Sequence, residues 1–162
     1  MNWHKRFLQQ AGWTGDLRAY LFERAGLTRA RRVLEVGCGT GAVLADVTGP
    51  AAIHGLDLDS ARLSEARTYA PGAVLTCGDA LSLPYPTATF DITFCHYLLL
   101  WVRDPLQALL EMKRVTRAGG AVLALAEPDY TSRLDEPPAL APLCRWQTES
   151  IRCQGADPSL GR

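Results

Sequence analysis

The stretch Val33-Leu34-Glu35-Val36-Gly37-Cys38-Gly39-Thr40-Gly41 (residues 33–41) decides the fold. A short β-rich run, Arg32 to Val36, gives way at Gly37 to a glycine-rich turn, and Gly41 to Val47 reads as a helix stopped by Gly49-Pro50. Glycines at 37, 39 and 41 let the chain turn tightly and let a ligand approach the main chain with no Cβ in the way. The N-terminus of the expected helix would offer free N–H groups. Alone, the loop is ambiguous, because Gly37, Gly39 and Ala42 also fit the dinucleotide pattern G-x-G-x-x-A.

Outward from this loop, strands and helices alternate. Ala52 to Leu58 reads as a second strand. Ser60 to Ala70 reads as a helix with Ser60 as N-cap and Pro71-Gly72 as the break. Ala73 to Cys77 is a third strand and Phe90 to Tyr97 a fourth; Leu83-Pro84-Tyr85-Pro86 between them fits neither helix nor central strand. Asp104-Pro105 starts a helix whose apolar stripe is Leu106, Leu109, Leu110 and Val115, with Arg114 and Arg117 near its end. Gly119-Gly120 stops it, and Ala121 to Ala126 is a fifth strand. Upstream, Leu17, Tyr20, Leu21 and Arg24 mark a helix from Thr14 to Ala25; downstream, a helix from Leu140 to Cys153 is expected. The alternation predicts an α/β fold, a doubly wound parallel sheet with its ligand at the carboxyl ends of the strands.

Composition narrows the function. At 162 residues the chain is one domain's worth. Lys+Arg and Asp+Glu are both 17, which argues against a nucleic-acid partner. The basic start reads as a solvated helical face. The apolar run Tyr97 to Val102 has six residues, against about 20 for a membrane span. No signal-peptide pattern opens the chain. Five cysteines without a CxxC read as reduced thiols in a cytoplasmic protein and provide no metal site.

Three acids discriminate between ligands. Glu35 lies inside the first strand, two residues before Gly37, where a phosphate would not tolerate it and a cationic amine would. Asp57 ends the second strand, 20 residues after Gly37, and can accept both hydroxyls of a ribose. Asp79 follows the third strand and can accept a hydrogen bond from an adenine amino group. Together they form an acidic crevice suited to an adenosine ligand with positive charge.

Four stretches, VLEVGCGTG (33–41), GLDLD (55–59), GDALSLPYPTATFDITFCHYLL (78–99) and DPLQALLEMKRVTRAGGAVLALAEP (104–128), stand in one order and spacing. In them the chain resembles class I S-adenosylmethionine-dependent methyltransferases of the small-molecule, methyltransferase type 11-like kind. The resemblance covers Val33 to Pro128. It implies a Rossmann-like sheet of strand order 3-2-1-4-5 and S-adenosyl-L-methionine as cofactor, released as S-adenosyl-L-homocysteine. It also implies roles. Glu35 would orient the methionine amino group, and Gly37, Cys38 and Gly39 would run their backbone along the cofactor. Asp57 would hold the ribose, Leu58 would pack on adenine, and Asp79 and Ala80 would read the adenine edge. His96 would lie near the sulfonium. Plainer readings stand beside these: Gly41 as a close-packing residue, Leu58 as core, Asp91 as a structural acid, Cys38 and Cys95 as apolar fillers, and Trp13 and Arg18 as packing and solvation rather than cofactor contacts. No residue stands out as a general base.

The resemblance divides the chain into an N-terminal helical segment (1–31), a cofactor-binding core (32–128) and a helical lid or substrate segment (129–162). The family's strands 6 and 7 have no counterpart, so a truncated domain is expected, its fifth strand at an open edge and prone to homodimerise. The Asn/Asp-Pro-Pro-aromatic run of nucleic-acid amino methyltransferases is absent after the fourth strand, where Phe94-Cys95-His96-Tyr97 stands. The expected activity is methyl transfer to a small-molecule acceptor. The alternatives are an NAD(P)-binding oxidoreductase and a non-catalytic cofactor-binding fragment.

Overall fold

The strands β1 (Arg32–Val36), β2 (Ala52–Asp57), β3 (Val74–Cys77), β4 (Phe90–His96) and β5 (Thr116–Leu125) form one sheet. Its order is β3-β2-β1-β4-β5 and every pairing is parallel. The structure is a computed structural model and describes residues 3–49 and 52–161. Pro50, half of the expected helix stop, and the outermost residues of the terminal segments lie outside the described residues.

Helices cover both faces, so the central strands are apolar on successive positions rather than on alternate ones. On one face Leu34, Val36, Leu56 and Phe90 pack with Ala108, Met112 and Val115 of α4 (Pro105–Val115). On the other, Val33, Ile92 and Phe94 pack with Phe22 of α2 (Gly15–Ala25). The Phe22 and Phe94 rings meet edge to face at 5.0 Å. Pro105 follows Asp104, whose side chain accepts from Gln107 N at 2.9 Å, as expected for this helix start. Gly41 is a packing residue: at φ 79° it brings the chain so close to α3 (Ser60–Tyr69) that an added Cβ would stand 3.3 Å from Ala70 Cβ.

Four local expectations need correction. The helix after the glycine loop is a single 3-10 turn, Leu44–Asp46. Too few residues separate Gly41 from Gly49 to offset helix nucleation, and Val43 and Val47 are β-branched. The N-cap of α3 is Asp59, not Ser60; its carboxylate accepts from Ala61 N at 2.8 Å and Arg62 N at 3.4 Å. α4 ends at Val115 and β5 begins at Thr116, so Arg117 and both glycines lie in the strand, next to a register shift between Phe90 and Ile92. Arg117 is drawn there by an ion pair to Asp91, which also accepts from Arg31 N and Arg32 N and is the structural acid expected. The fourth correction concerns the basic start: its helices, α1 (Trp3–Trp13) and α2, do not present a wholly solvated face, because His4, Ala11, Arg18 and Phe22 are buried. The last helix, α5 (Ala141–Cys153), lies where expected.

Candidate cofactor-binding site

The parallel register sets the acids side by side. Val36 pairs with Leu56 of β2 and with Cys95 of β4, so Gly37, Asp57 and His96 stand level at the carboxyl edge of the sheet. Asp57 in turn pairs with Cys77, which puts Asp79 just beyond the edge on β3. Strand order reverses between β2-β1 and β4-β5, the switch point at which open α/β sheets bind ligands.

The glycine loop consumes its own donors. Gly37 N and Cys38 N both donate to Leu56 O, at 2.7 and 2.9 Å. Gly41 N donates to Cys38 O, and Gly39 N donates to Asp57 Oδ2 at 2.7 Å. No α-helix N-terminus follows directly. The free N–H groups expected at this point are therefore absent at 37, 38, 39 and 41, and with them the cradle that a pyrophosphate needs. Gly39 takes φ 53° and nothing lies within 4 Å of where its Cβ would be, so the loop presents bare backbone there.

Asp57 is buried, and its other oxygen accepts from Asp59 N at 2.9 Å. Leu58 is 73% exposed, which removes the core reading and leaves an apolar platform beside Asp57. Asp79 is exposed, accepting from Leu81 N at 2.9 Å, and Ala80 is buried behind it. Cys38 turns its thiol inward against Leu44, Leu63 and Ala70, so only its backbone can line a ligand.

Glu35 is 2% exposed and its Oε2 has no hydrogen-bond partner. Burial pushes its carboxyl well up from the usual carboxylate range; the Arg18 guanidinium opposes this and the Asp57 charge adds to it. A donor brought to Oε2 would relieve an orphaned buried acceptor. Because the folded-state value lies above the unfolded one near 4.5, the folded chain binds the proton more tightly. Stability is then expected to fall as pH rises from that range through the raised value, by at most about 1.4 kcal/mol per pH unit. Glu35→Gln removes this titration, so its thermal midpoint should change less with pH. Parallel profiles for variant and wild type would overturn the assignment.

Sequence reasoning missed what closes the site. Arg18 is buried; it donates to Ala11 O and to Thr14 Oγ1, and pairs with Asp46 at 3.1 Å. Thr14 Oγ1 is 2.8 Å from His96 Nε2. Burial, then the charge of Arg18, hold the His96 imidazole down to about 4, so it is neutral at physiological pH. His4 Nδ1 is 2.9 Å from Thr40 Oγ1, and its ring stacks on Tyr69. α1 and α2 are thus fastened over the glycine loop by polar contacts. Trp13 is 61% exposed and does not enter the site. On the far side, Glu127 follows β5 and accepts from Leu98 N at 2.9 Å and Leu99 N at 3.0 Å, fixing the loop after His96. The signal for Glu127 was its position, an acid directly behind an apolar strand. For α1 it was the spacing of His4 and Ala11, both buried on one helix face.

A parallel sheet of this order, with its glycine loop after β1, an acid at the end of β2 and another behind β3, defines a Rossmann-like domain. The chain belongs to the methyltransferase domain family, whose pattern matches residues 34–124. It is 37% identical over 99 residues to the malonyl-[acyl-carrier protein] O-methyltransferase of Halorhodospira halophila, covering 57% of this chain and 34% of that one. It is 33% identical over 133 residues to the demethylmenaquinone methyltransferase of Lysinibacillus sphaericus, covering 77% and 55%. The S-adenosylmethionine-bound structure of an amino pentose methyltransferase from Micromonospora echinaspora matches with a TM-score of 0.60 at 31% identity, over 71% and 54%. The chain therefore spans from about a third to just over half of the length of these relatives. None of them is an oxidoreductase, and the dinucleotide alternative is not favoured.

Proposed function

We propose that this chain is the cofactor-binding part of an S-adenosylmethionine-dependent methyltransferase acting on a small-molecule acceptor. The observation that carries this reading is the pairing of a glycine loop with spent N–H donors and a buried, unpartnered Glu35 Oε2. Such a site suits a ligand with a cationic amine and offers little to a pyrophosphate.

Asp57 would take the ribose hydroxyls, Leu58 the adenine face, and Asp79 with Ala80 the adenine edge. The backbone of Gly37, Cys38 and Gly39 would run along the cofactor, and Glu35 would hold the ammonium. S-adenosylmethionine supplies a methyl group on a sulfonium, displaced in line with a neutral thioether leaving. The chain's own task is then mostly positioning and exclusion of water. His96 Nε2 is engaged by Thr14 and burial leaves the ring a weak base, so it would line the mouth rather than draw a proton. α1 and α2 border this site, with Ala11 and Phe22 packed into the core of the same sheet face.

Among the described residues no helix is long and apolar enough to cross a membrane. All five cysteines are free thiols, which supports a reducing, cytoplasmic setting. The free side of β5, paired only with β4 among the described residues, supports self-association of this chain.

Calorimetric titration with S-adenosylhomocysteine and, separately, with NAD tests the reading. Binding of the first and none of the second is expected. NAD binding, or a folded chain that binds neither, would overturn it.

A further inference from the structure

β4 runs out on two aromatic side chains at the carboxyl edge, His96 as its last residue and Tyr97 directly after it. Along a strand, successive side chains leave opposite faces, so the rings of consecutive residues do not meet. Here they do. The Tyr97 ring stands edge to face with the His96 imidazole, their centres 4.6 Å apart and their planes at 86°. The cause lies in the backbone: Tyr97 takes φ 54°, in the left-handed region, which breaks the alternation and brings its ring round to the imidazole.

A residue with a bulky side chain adopts that conformation at a cost, whereas glycine adopts it freely. The chain nevertheless carries a tyrosine there, and the surrounding structure fastens it. Tyr97 N donates to Leu125 O at 3.3 Å. The next two amides, Leu98 N and Leu99 N, donate to the Glu127 carboxylate at 2.9 and 3.0 Å. A strained residue that is held this firmly points to a use for its side chain. The imidazole it meets is held on another side by Thr14 Oγ1, 2.8 Å from Nε2. The charged and titratable neighbours are few: Arg18 acts on the imidazole, and Tyr130 and Glu127 act on the Tyr97 phenol.

We propose that Tyr97 is a positioning residue, whose ring fixes the orientation of the His96 imidazole and shields it from water. His96 stands level with Gly37 and Asp57 on the edge of the sheet. A fixed imidazole there gives the crevice a wall of set shape, against which the sulfonium end of the cofactor would lie. That last step rests on the proposed function; the contact between the two rings does not.

The test compares the whole wild-type chain with Tyr97→Gly and Tyr97→Phe. Glycine keeps the left-handed backbone without strain and removes the ring. Tyr97→Asn is a second ring-less variant, because asparagine also tolerates this conformation. Phenylalanine keeps the ring and removes only the hydroxyl. Circular dichroism checks folding, nuclear magnetic resonance follows the His96 ring nitrogens against pH, and calorimetry follows S-adenosylhomocysteine. In wild type, burial and then the Arg18 charge hold the imidazole down to about 4. Loss of the ring readmits water to the imidazole, so its titration should move up toward the ordinary value of about 6.5 in Tyr97→Gly and Tyr97→Asn. Their affinity for S-adenosylhomocysteine should fall roughly fivefold, since the imidazole must then be ordered on binding. Tyr97→Phe should match wild type in both measurements. An unmoved His96 titration in the folded ring-less variants, an unchanged affinity in them, or a Tyr97→Phe chain that behaves as they do would overturn the proposal. A wild-type chain that binds no S-adenosylhomocysteine, with the His96 titration still moved by Tyr97→Gly, would overturn the methyltransferase reading and leave the positioning of His96 standing.

Discussion

Asp57→Ala is expected to weaken S-adenosylhomocysteine binding by roughly a hundredfold or more. The carboxylate is buried at the end of β2, and each oxygen already accepts one backbone N–H, Gly39 on one side and Asp59 on the other. Each oxygen keeps a lone pair for a ribose hydroxyl. Hydrogen bonds to a charged acceptor contribute about 1.5–3 kcal/mol each, so losing two costs about 3–6 kcal/mol of binding, where about 1.4 kcal/mol is a factor of ten. The variant also releases Gly39 N and with it the glycine loop. Asp57→Asn should fall between, because its NH2 group faces donors rather than acceptors. Titration calorimetry on protein shown to be folded by circular dichroism reads the effect. A folded Asp57→Ala chain that binds like wild type would remove Asp57 from the site.

The second large effect is expected at Glu127. Its carboxylate holds Leu98 N and Leu99 N, the start of the loop that leaves the end of β4. Burial pushes this carboxyl up, and the backbone donors pull it partly back. Glu127→Ala leaves two donors without an acceptor, at about 1–3 kcal/mol for each one that water cannot reach. Relief of the buried charge offsets part of this. A net loss of about 2–4 kcal/mol is expected, which lowers the thermal midpoint by roughly 5–15 °C for a domain of this size. Glu127→Gln keeps one acceptor oxygen and should lose about half as much. Thermal unfolding followed by circular dichroism measures both. An unchanged midpoint in Glu127→Ala would show that solvent, not Glu127, satisfies these donors.

Much of the site was legible because it is local. Glu35, Asp57, Asp79 and His96 each lie in or directly behind a strand, and a parallel sheet places all such positions on one edge. Once the strands are found, the row of acids follows. The glycine loop was legible as a loop, yet its chemistry was not. Whether its N–H groups are free depends on Leu56 O and on the Asp57 carboxylate, which come from the neighbouring strand. The expected helix behind it failed for a local reason, a segment too short to nucleate. The glycines of β5 misled in the opposite direction. Gly119 and Gly120 read as a helix stop, whereas β4 and the pairing of Asp91 with Arg117 draw that segment into the sheet.

The sequence by itself determined the sheet, its order through the family resemblance, and the residues along its carboxyl edge. These follow from apolar runs, turn residues and acids a few positions from a strand, all of which act over short stretches of chain. Only the tertiary structure decided what covers that edge. The contacts of His4 with Thr40, Thr14 with His96, Arg18 with Asp46, and Glu127 with Leu98 and Leu99 join residues 28 to 82 positions apart. A hydrogen bond carries no periodicity and leaves no pattern in either partner's neighbourhood. It exists because the packed helices bring two polar groups together where water cannot serve them.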